Sequence, residues 1–217
     1  RECLKKAGIS TGVEIASLAD VPSGTGLGSS SSFTVGLLNA LYAYKGKKIS
    51  KDKLAAEACE IEIDILGGSI GKQDQYAAAF GNLNHIQFNK NNSVNVSEIS
   101  INPQNEKHLE DKLILYYNGG SRDAIPILEE QVKNMIDAEK FKIMQKNLIL
   151  VEELKKLLSD VKFDSLAQIL NLGWEYKKQM STNVTSNKVN KNIELLFKNG
   201  ATGAKLLGAG AAGFILV

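Results

Sequence analysis

The segment Pro22-Ser23-Gly24-Thr25-Gly26-Leu27-Gly28-Ser29-Ser30-Ser31-Ser32 constrains this chain more than any other. Three glycines alternate directly ahead of four hydroxyl side chains, and an apolar helix-length run from Phe33 to Tyr44 follows at once. Glycines let backbone N–H groups approach an anion with no Cβ in the way. A helix start adds unpaired N–H donors and a partial positive charge. Serines add donors and can ligate a hard cation through oxygen. The pattern is neither common glycine fingerprint. No lysine stands where a Walker A loop needs one, and Gly24, Gly26 and Gly28 read GxGxG rather than GxGxxG. The same residues also fit an ordinary helix start with Ser29 or Ser30 as N-cap.

The rest of the sequence bounds the setting. The 217 residues can bury one large core or two small ones. A net charge of +2, with scattered lysines, gives no case for nucleic acid or an acidic membrane surface. Two unpaired cysteines, Cys3 and Cys59, point to a reduced, cytosolic setting, and Cys59 reads as a small core residue. No segment has the length and apolarity of a membrane span. The chain opens on Arg1 and closes on the apolar run Gly213–Val217, so we expect a piece of a longer protein.

Patterning predicts a strand over 13–17 and a helix after the glycine loop. A helix over 50–66 is expected to be capped by Ser50, with a glycine break over 67–71 after it. A short helix over 74–80 and a hairpin over 85–99 come next. Residues 100–112 read as a polar junction and 113–117 as a buried strand. Helices are expected from Pro126 to about Ser159 with a break near Ala138, over 164–179 and over 188–198. A strand pair is expected around Gly208–Gly213. The order predicts an α+β fold in two parts, 1–108 and 109–217.

Two carboxylates stand out. In the helix over 50–66, Glu57, Glu60 and Asp64 share a polar face, whereas Glu62 falls roughly 160–200° from Glu60 and Asp64, on the stripe of Ala55, Ala58, Cys59 and Leu66. A carboxylate there must be paired, protonated or metal-bound, because burying it bare costs several kcal/mol. An internal ion pair, or a helix turned so that Glu62 reaches water, would also satisfy it. Asp74 follows the glycine break at a helix start, where the dipole favours its charge. Lys72 beside it is expected to lower its pKa.

Together these residues resemble the GHMP kinases. Pro22 to Ser30 is similar to the family motif Pro-x3-Gly-Leu-Gly-Ser-Ser, and Lys205 to Phe214 resembles the late glycine motif. Within the superfamily, Gly71–Gly81, Tyr117–Arg122 and Trp174–Lys178 resemble D-glycero-D-manno-heptose 7-phosphate kinases. The resemblance implies a ribosomal-protein-like first part and a ferredoxin-like second part. It implies ATP-dependent transfer of phosphate to a sugar hydroxyl, with the anomeric hydroxyl of a heptose 7-phosphate the first choice. Galactokinase-like, fucokinase-like or mevalonate-directed acceptors, a nucleotide or sugar sensor without turnover, and an inactive fragment are the alternatives.

The implied ATP-binding residues are Pro22, Gly24, Thr25, Gly26, Leu27, Gly28, Ser29, Ser30 and Ser31. Ser30 and Glu62 are implied to hold Mg²⁺. Asp74 is implied as catalytic base with Lys72 beside it. Gly71, Asp74, Arg122, Gly208 and Gly210 would face the sugar or sugar phosphate. A homodimer is compatible with the family. Two departures stand out. The family's sugar-binding Arg…Gly-Gly-Gly-Thr-Asp motif is absent, and Ala211 and Ala212 replace glycines, where a Cβ would crowd any position needing positive φ.

Overall fold

The computed structural model describes residues 1–121 and 124–217. The chain divides into two compact units: residues 1–23 with 28–98, and residues 24–27 with 99–217.

In the first unit, α1 (Glu2–Ala7), α2 (Ser29–Tyr44), α3 (Lys51–Cys59) and α4 (Gln73–Phe80) are followed by an antiparallel hairpin of β1 (Asn84–Phe88) and β2 (Val94–Glu98). The α2 core face carries Val35, Leu38, Leu41 and Tyr42, at helical spacing. They pack with Cys3 and Ala7 of α1 and with Leu54, Ala58 and Ile61. Full burial of a residue such as Leu38 contributes about 2 kcal/mol. Ala55, Cys59 and Tyr76 form a second cluster beneath the hairpin residues Ile86, Val94 and Val96. Ser50 caps α3, its hydroxyl accepting from the Lys53 N–H at 3.3 Å.

The expected helix over 50–66 does not stay α-helical. From Glu60 to Ile65 it widens into a π-helix, with the Leu66 N–H bonded to the Ile61 carbonyl at 3.0 Å. Nor does a strand form over 13–17. A strand is held by a neighbour's ladder, and among the described residues none pairs there. Ile15 and Leu18 are exposed accordingly.

In the second unit, α5 (Pro103–Glu110) replaces the expected polar junction. Asn102 caps it by accepting from the Asn105 N–H at 2.8 Å, and Pro103 fills the first turn, where its missing N–H costs nothing. β3 (Leu115–Tyr117), α6 (Ile125–Asn134), α7 (Ala138–Ser159), α8 (Leu166–Met180), a 3₁₀ turn (Thr182–Val184) and α9 (Asn187–Lys198) follow. β4 (Lys205–Leu206) and β5 (Phe214–Leu216) complete an antiparallel sheet in the order β3-β5-β4. Leu206 and Ile215 face a core with Ile127, Trp174, Val184, Val189 and Ile193. The opposite face is only partly covered. Leu115 and Tyr117 are exposed on it, so β3 is half-exposed rather than buried as expected.

Candidate active site

Gly28, not a serine, is the N-cap of α2. Its φ of 67° is left-handed, a conformation that favours glycine. Ser29, Ser30 and Ser31 therefore stand in the first turn rather than at the cap. That turn delivers two hydroxyls to one carboxylate. Ser30 Oγ donates to Glu62 Oε1 at 2.5 Å, and Ser31 Oγ donates to Oε2 at 2.8 Å. A third donor, Gln75 Nε2, reaches Oε2 at 2.6 Å.

Glu62 is thus buried as its apolar stripe predicts, and its partners are hydroxyls and an amide rather than a lysine or arginine. Three convergent donors offset much of the cost of removing the group from water. The π-helical turn gives Glu62 its direction and is itself a feature often found at functional sites. Gln75 is completely buried, and its Oε1 has no partner among the described residues. Sequence reasoning missed this residue. The available signal was the one used for Glu62: an uncharged polar group, four before Ala79, on the core-facing stripe of α4.

Asp74 lies in the first turn of α4, and its carboxyl packs against Gly28. A Cβ built on Gly28 would stand 3.2 Å from Asp74 Cγ and Oδ2. The residue is open to solvent on its other side. Desolvation by the surrounding protein, with the Glu62 charge second, pushes the Asp74 pKa above the ordinary carboxylate range. The sequence expectation was a lowered value through Lys72. Lys72 instead acts on Cys59, where its charge opposes a shift that burial carries up to about 11. Gly71 has open space where a side chain would be.

The 24–27 part of the glycine loop is held differently, backbone against backbone. A Cβ on Gly26 would lie 2.8 Å from the Leu207 carbonyl oxygen. One on Gly208 would lie 2.4 Å from Gly26 Cα, and one on Gly213 only 2.0 Å from the Thr25 carbonyl oxygen. The Phe214 N–H donates to that same Thr25 oxygen at 3.2 Å. Lys177 Nζ donates to the Gly208 carbonyl. Ala211 adopts φ 63°, so the late loop keeps a left-handed position without glycine, at a local cost of about 1 kcal/mol. Ala212 carries no positive φ, and its substitution for glycine is conformationally free. Arg122 lies outside the described residues.

The donor set fits a magnesium ion. Ser30 Oγ and the Glu62 carboxylate are adjacent hard oxygens, and Mg²⁺ in kinases commonly takes one or two carboxylates plus substrate phosphates. Among the described residues no group of three or more His, Cys, Asp or Glu side chains forms an all-protein metal cage. No described helix is long and apolar enough to cross a membrane.

Residues 1–82 match the GHMP kinases N terminal domain family. A D-glycero-alpha-D-manno-heptose 7-phosphate kinase of Campylobacter jejuni is 35% identical over 197 residues, 91% of this chain and 58% of that protein. An L-fucokinase/L-fucose-1-P guanylyltransferase of Bacteroides fragilis is 28% identical over 94% of this chain and 22% of that protein. The crystal structure of a D-glycero-D-manno-heptose 1-phosphate kinase from Bacteroides thetaiotaomicron superposes with a TM-score of 0.68 at 29% identity, over 91% of this chain and 54% of that one. The chain therefore spans little more than half the length of the heptose kinases it matches. Residues 1–82 thus carry a match to the GHMP kinases N terminal domain, and most of the chain is similar in sequence and α+β fold to heptose-phosphate kinases.

Proposed function

We propose that this chain is the larger part of an ATP-dependent sugar kinase whose acceptor is the anomeric hydroxyl of a heptose 7-phosphate. The carrying observation is the pinning of Glu62 by Ser30, Ser31 and Gln75, with Asp74 set against Gly28 in the same unit.

Backbone N–H groups from Gly24 to Ser30 hold the ATP phosphates. Ser30 and Glu62 hold Mg²⁺, which when bound neutralises charge on the phosphates. The remaining work is positioning and proton handling. The acceptor oxygen forms a bond to the γ-phosphorus, the bond from that phosphorus to the ADP oxygen breaks, and Asp74 accepts the hydroxyl proton. The pKa of Asp74, raised by desolvation, makes it a stronger base than an ordinary carboxylate, which suits a group that takes this proton. Lys72 and Gly71 of the first unit, and Gly208 and Gly210 of the second, are the remaining candidate residues. Arg122 is the candidate grip on a phosphate already on the substrate, since a guanidinium meets it with two parallel hydrogen bonds.

The deciding experiment is a panel of acceptors, each with ATP and Mg²⁺, in the full natural protein: heptose, heptose 7-phosphate, fucose, galactose and mevalonate. Preference for heptose 7-phosphate supports the reading. Preference for fucose or mevalonate keeps the kinase and replaces the acceptor. ATP binding with no turnover on any of them would leave a nucleotide sensor.

A further inference from the structure

The late glycine loop touches more than the phosphate loop. A Cβ on Gly210 would lie 2.4 Å from the carbonyl oxygen of Val184, and the Ala211 N–H donates to that same oxygen at 2.6 Å. Val184 is completely buried and ends the 3₁₀ turn Thr182–Val184. The turn in turn rests on one side chain of α6. Glu130 Oε1 accepts from the Thr182 N–H at 3.1 Å and the Thr182 hydroxyl at 3.2 Å. Glu130 Oε2 accepts from the Ser181 hydroxyl at 2.7 Å and from Asn183 Nδ2 at 2.9 Å. These bonds, the Ser181 hydroxyl first, hold the Glu130 carboxyl below its ordinary pKa range. Asn134, also on α6, donates to the Met180 carbonyl at 2.8 Å.

We propose that Glu130 is a positioning residue for the phosphate loop. It sets the height of the 3₁₀ turn, the turn sets the late glycine loop through Val184, and that loop sets Thr25 and Gly26. Every step after the turn is backbone on backbone at contact distance. Flexible side chains can absorb a displacement by changing rotamer; close-packed main chain transmits it. Removing Glu130 leaves the buried Ser181 hydroxyl without its acceptor and releases the exposed residues Thr182 and Asn183 to water, so the turn loses the side chain that fixes it. A misplacement of about 1 Å at a phosphate cradle can cost catalysis about 10²-fold. The catalytic consequence rests on the reading that Thr25 and Gly26 hold phosphate. The structural coupling does not.

The test uses Glu130→Ala and Glu130→Gln in the full natural protein. Glutamine keeps one acceptor for Thr182 and can donate to Ser181, whose hydroxyl can turn to accept. Amide hydrogen exchange is followed at residues 25–28 and 208–213, with the α2 core segment 38–41 as control. The alanine variant is expected to exchange about tenfold faster at both glycine loops, with the control unchanged and the glutamine variant close to wild type. In turnover assays the alanine variant is expected to raise the KM for ATP about tenfold while the KM for sugar stays within about twofold. Unchanged exchange at 25–28 would overturn the proposal, as would equal acceleration in the α2 control. So would faster exchange at both loops with an unchanged KM for ATP. If the wild-type protein neither binds nor uses ATP, the kinase reading falls, and the exchange data still decide the role of Glu130.

Discussion

The two units hold the two parts of one glycine–serine loop by opposite means. In the first unit, Ser30 and Ser31 are tied through side chains to Glu62, and Glu62 to Gln75. In the second, Thr25 and Gly26 are pressed against Gly208 and Gly213 with no side chain between. Side-chain ties carry charge and protons, so that half is suited to chemistry. Main-chain contact carries only shape, so the other half is suited to alignment. Removing the charge of Asp74 in the first unit should therefore separate activity from stability, and an added Cβ in the second should move both together.

The strongest challenge to this contrast is Asp74→Asn. Turnover is expected to fall about 10²–10⁴-fold, the usual worth of a general base. Stability should move the other way. A carboxyl whose folded pKa is raised binds its proton more tightly when folded, so it destabilises the fold as pH rises past its unfolded value, until the raised folded value is passed. At neutral pH the asparagine variant should melt at a higher temperature than wild type, and the difference should shrink as pH falls toward the ordinary carboxylate range. A lower Tm for the variant at pH 7 would contradict the environment assigned to Asp74. The same shift should lift the acid limb of kcat/KM above the pH of an ordinary carboxylate.

Gly213→Ala in the second unit should cost about 3 kcal/mol of stability, since a Cβ would meet the Thr25 carbonyl oxygen at 2.0 Å and φ is 106°. Nucleotide affinity should fall with it. Denaturant unfolding alongside ATP titration checks both, and intact ATP binding in a destabilised variant would break the comparison. Glu62→Ala should cost about 2 kcal/mol by stranding its buried donors, the Ser31 hydroxyl and the Gln75 amide, and should raise the Mg²⁺ concentration needed for half-maximal activity. A destabilised variant with an unchanged Mg²⁺ requirement would leave Glu62 a purely structural acceptor. The smallest effect belongs to Ala211→Gly, expected to stabilise by about 0.5–1 kcal/mol by relieving the left-handed strain at φ 63°. Equilibrium unfolding will show it.

How far the sequence reveals the molecule differs between these halves. Glu62 is visible because a carboxylate breaks an apolar stripe, and Asp74 because it follows a glycine break. The partners of Glu62 are not visible in that way. Its contact with Ser30 and Ser31 joins residues more than thirty apart in sequence and depends on a π-helical turn that no periodicity of 3.6 foretells. The helix over 103–110 was legible in principle, since Asn102-Pro103 is a cap followed by a first-turn proline, but its polar composition masks it. The alternation over 13–17 is genuine strand patterning, yet a ladder needs a neighbour, which one segment's pattern cannot supply. In the second unit the helices α8 and α9 are legible from periodicity, but of the loop contacts only the glycines are, and they mark that something approaches closely without saying what. Glu130 carries no signal of its own, being one of two adjacent glutamates on α6.

The π-helical turn at Glu60–Ile65 can also be viewed as an insertion. Relative to an α-helix it accommodates one extra residue, and the strain is confined to a single wide turn. Deleting a residue inside a helix usually ruins its packing. Here, deletion of Ile63 would let the ladder close in regular α-helical fashion with the segments on either side left nearly in place. The residues of the wide turn itself, Glu62 among them, would change direction. The shortest edit to this chain that improves a helix is thus also one that dismantles the carboxylate's setting, so local helix stability and the site pull against each other at this turn.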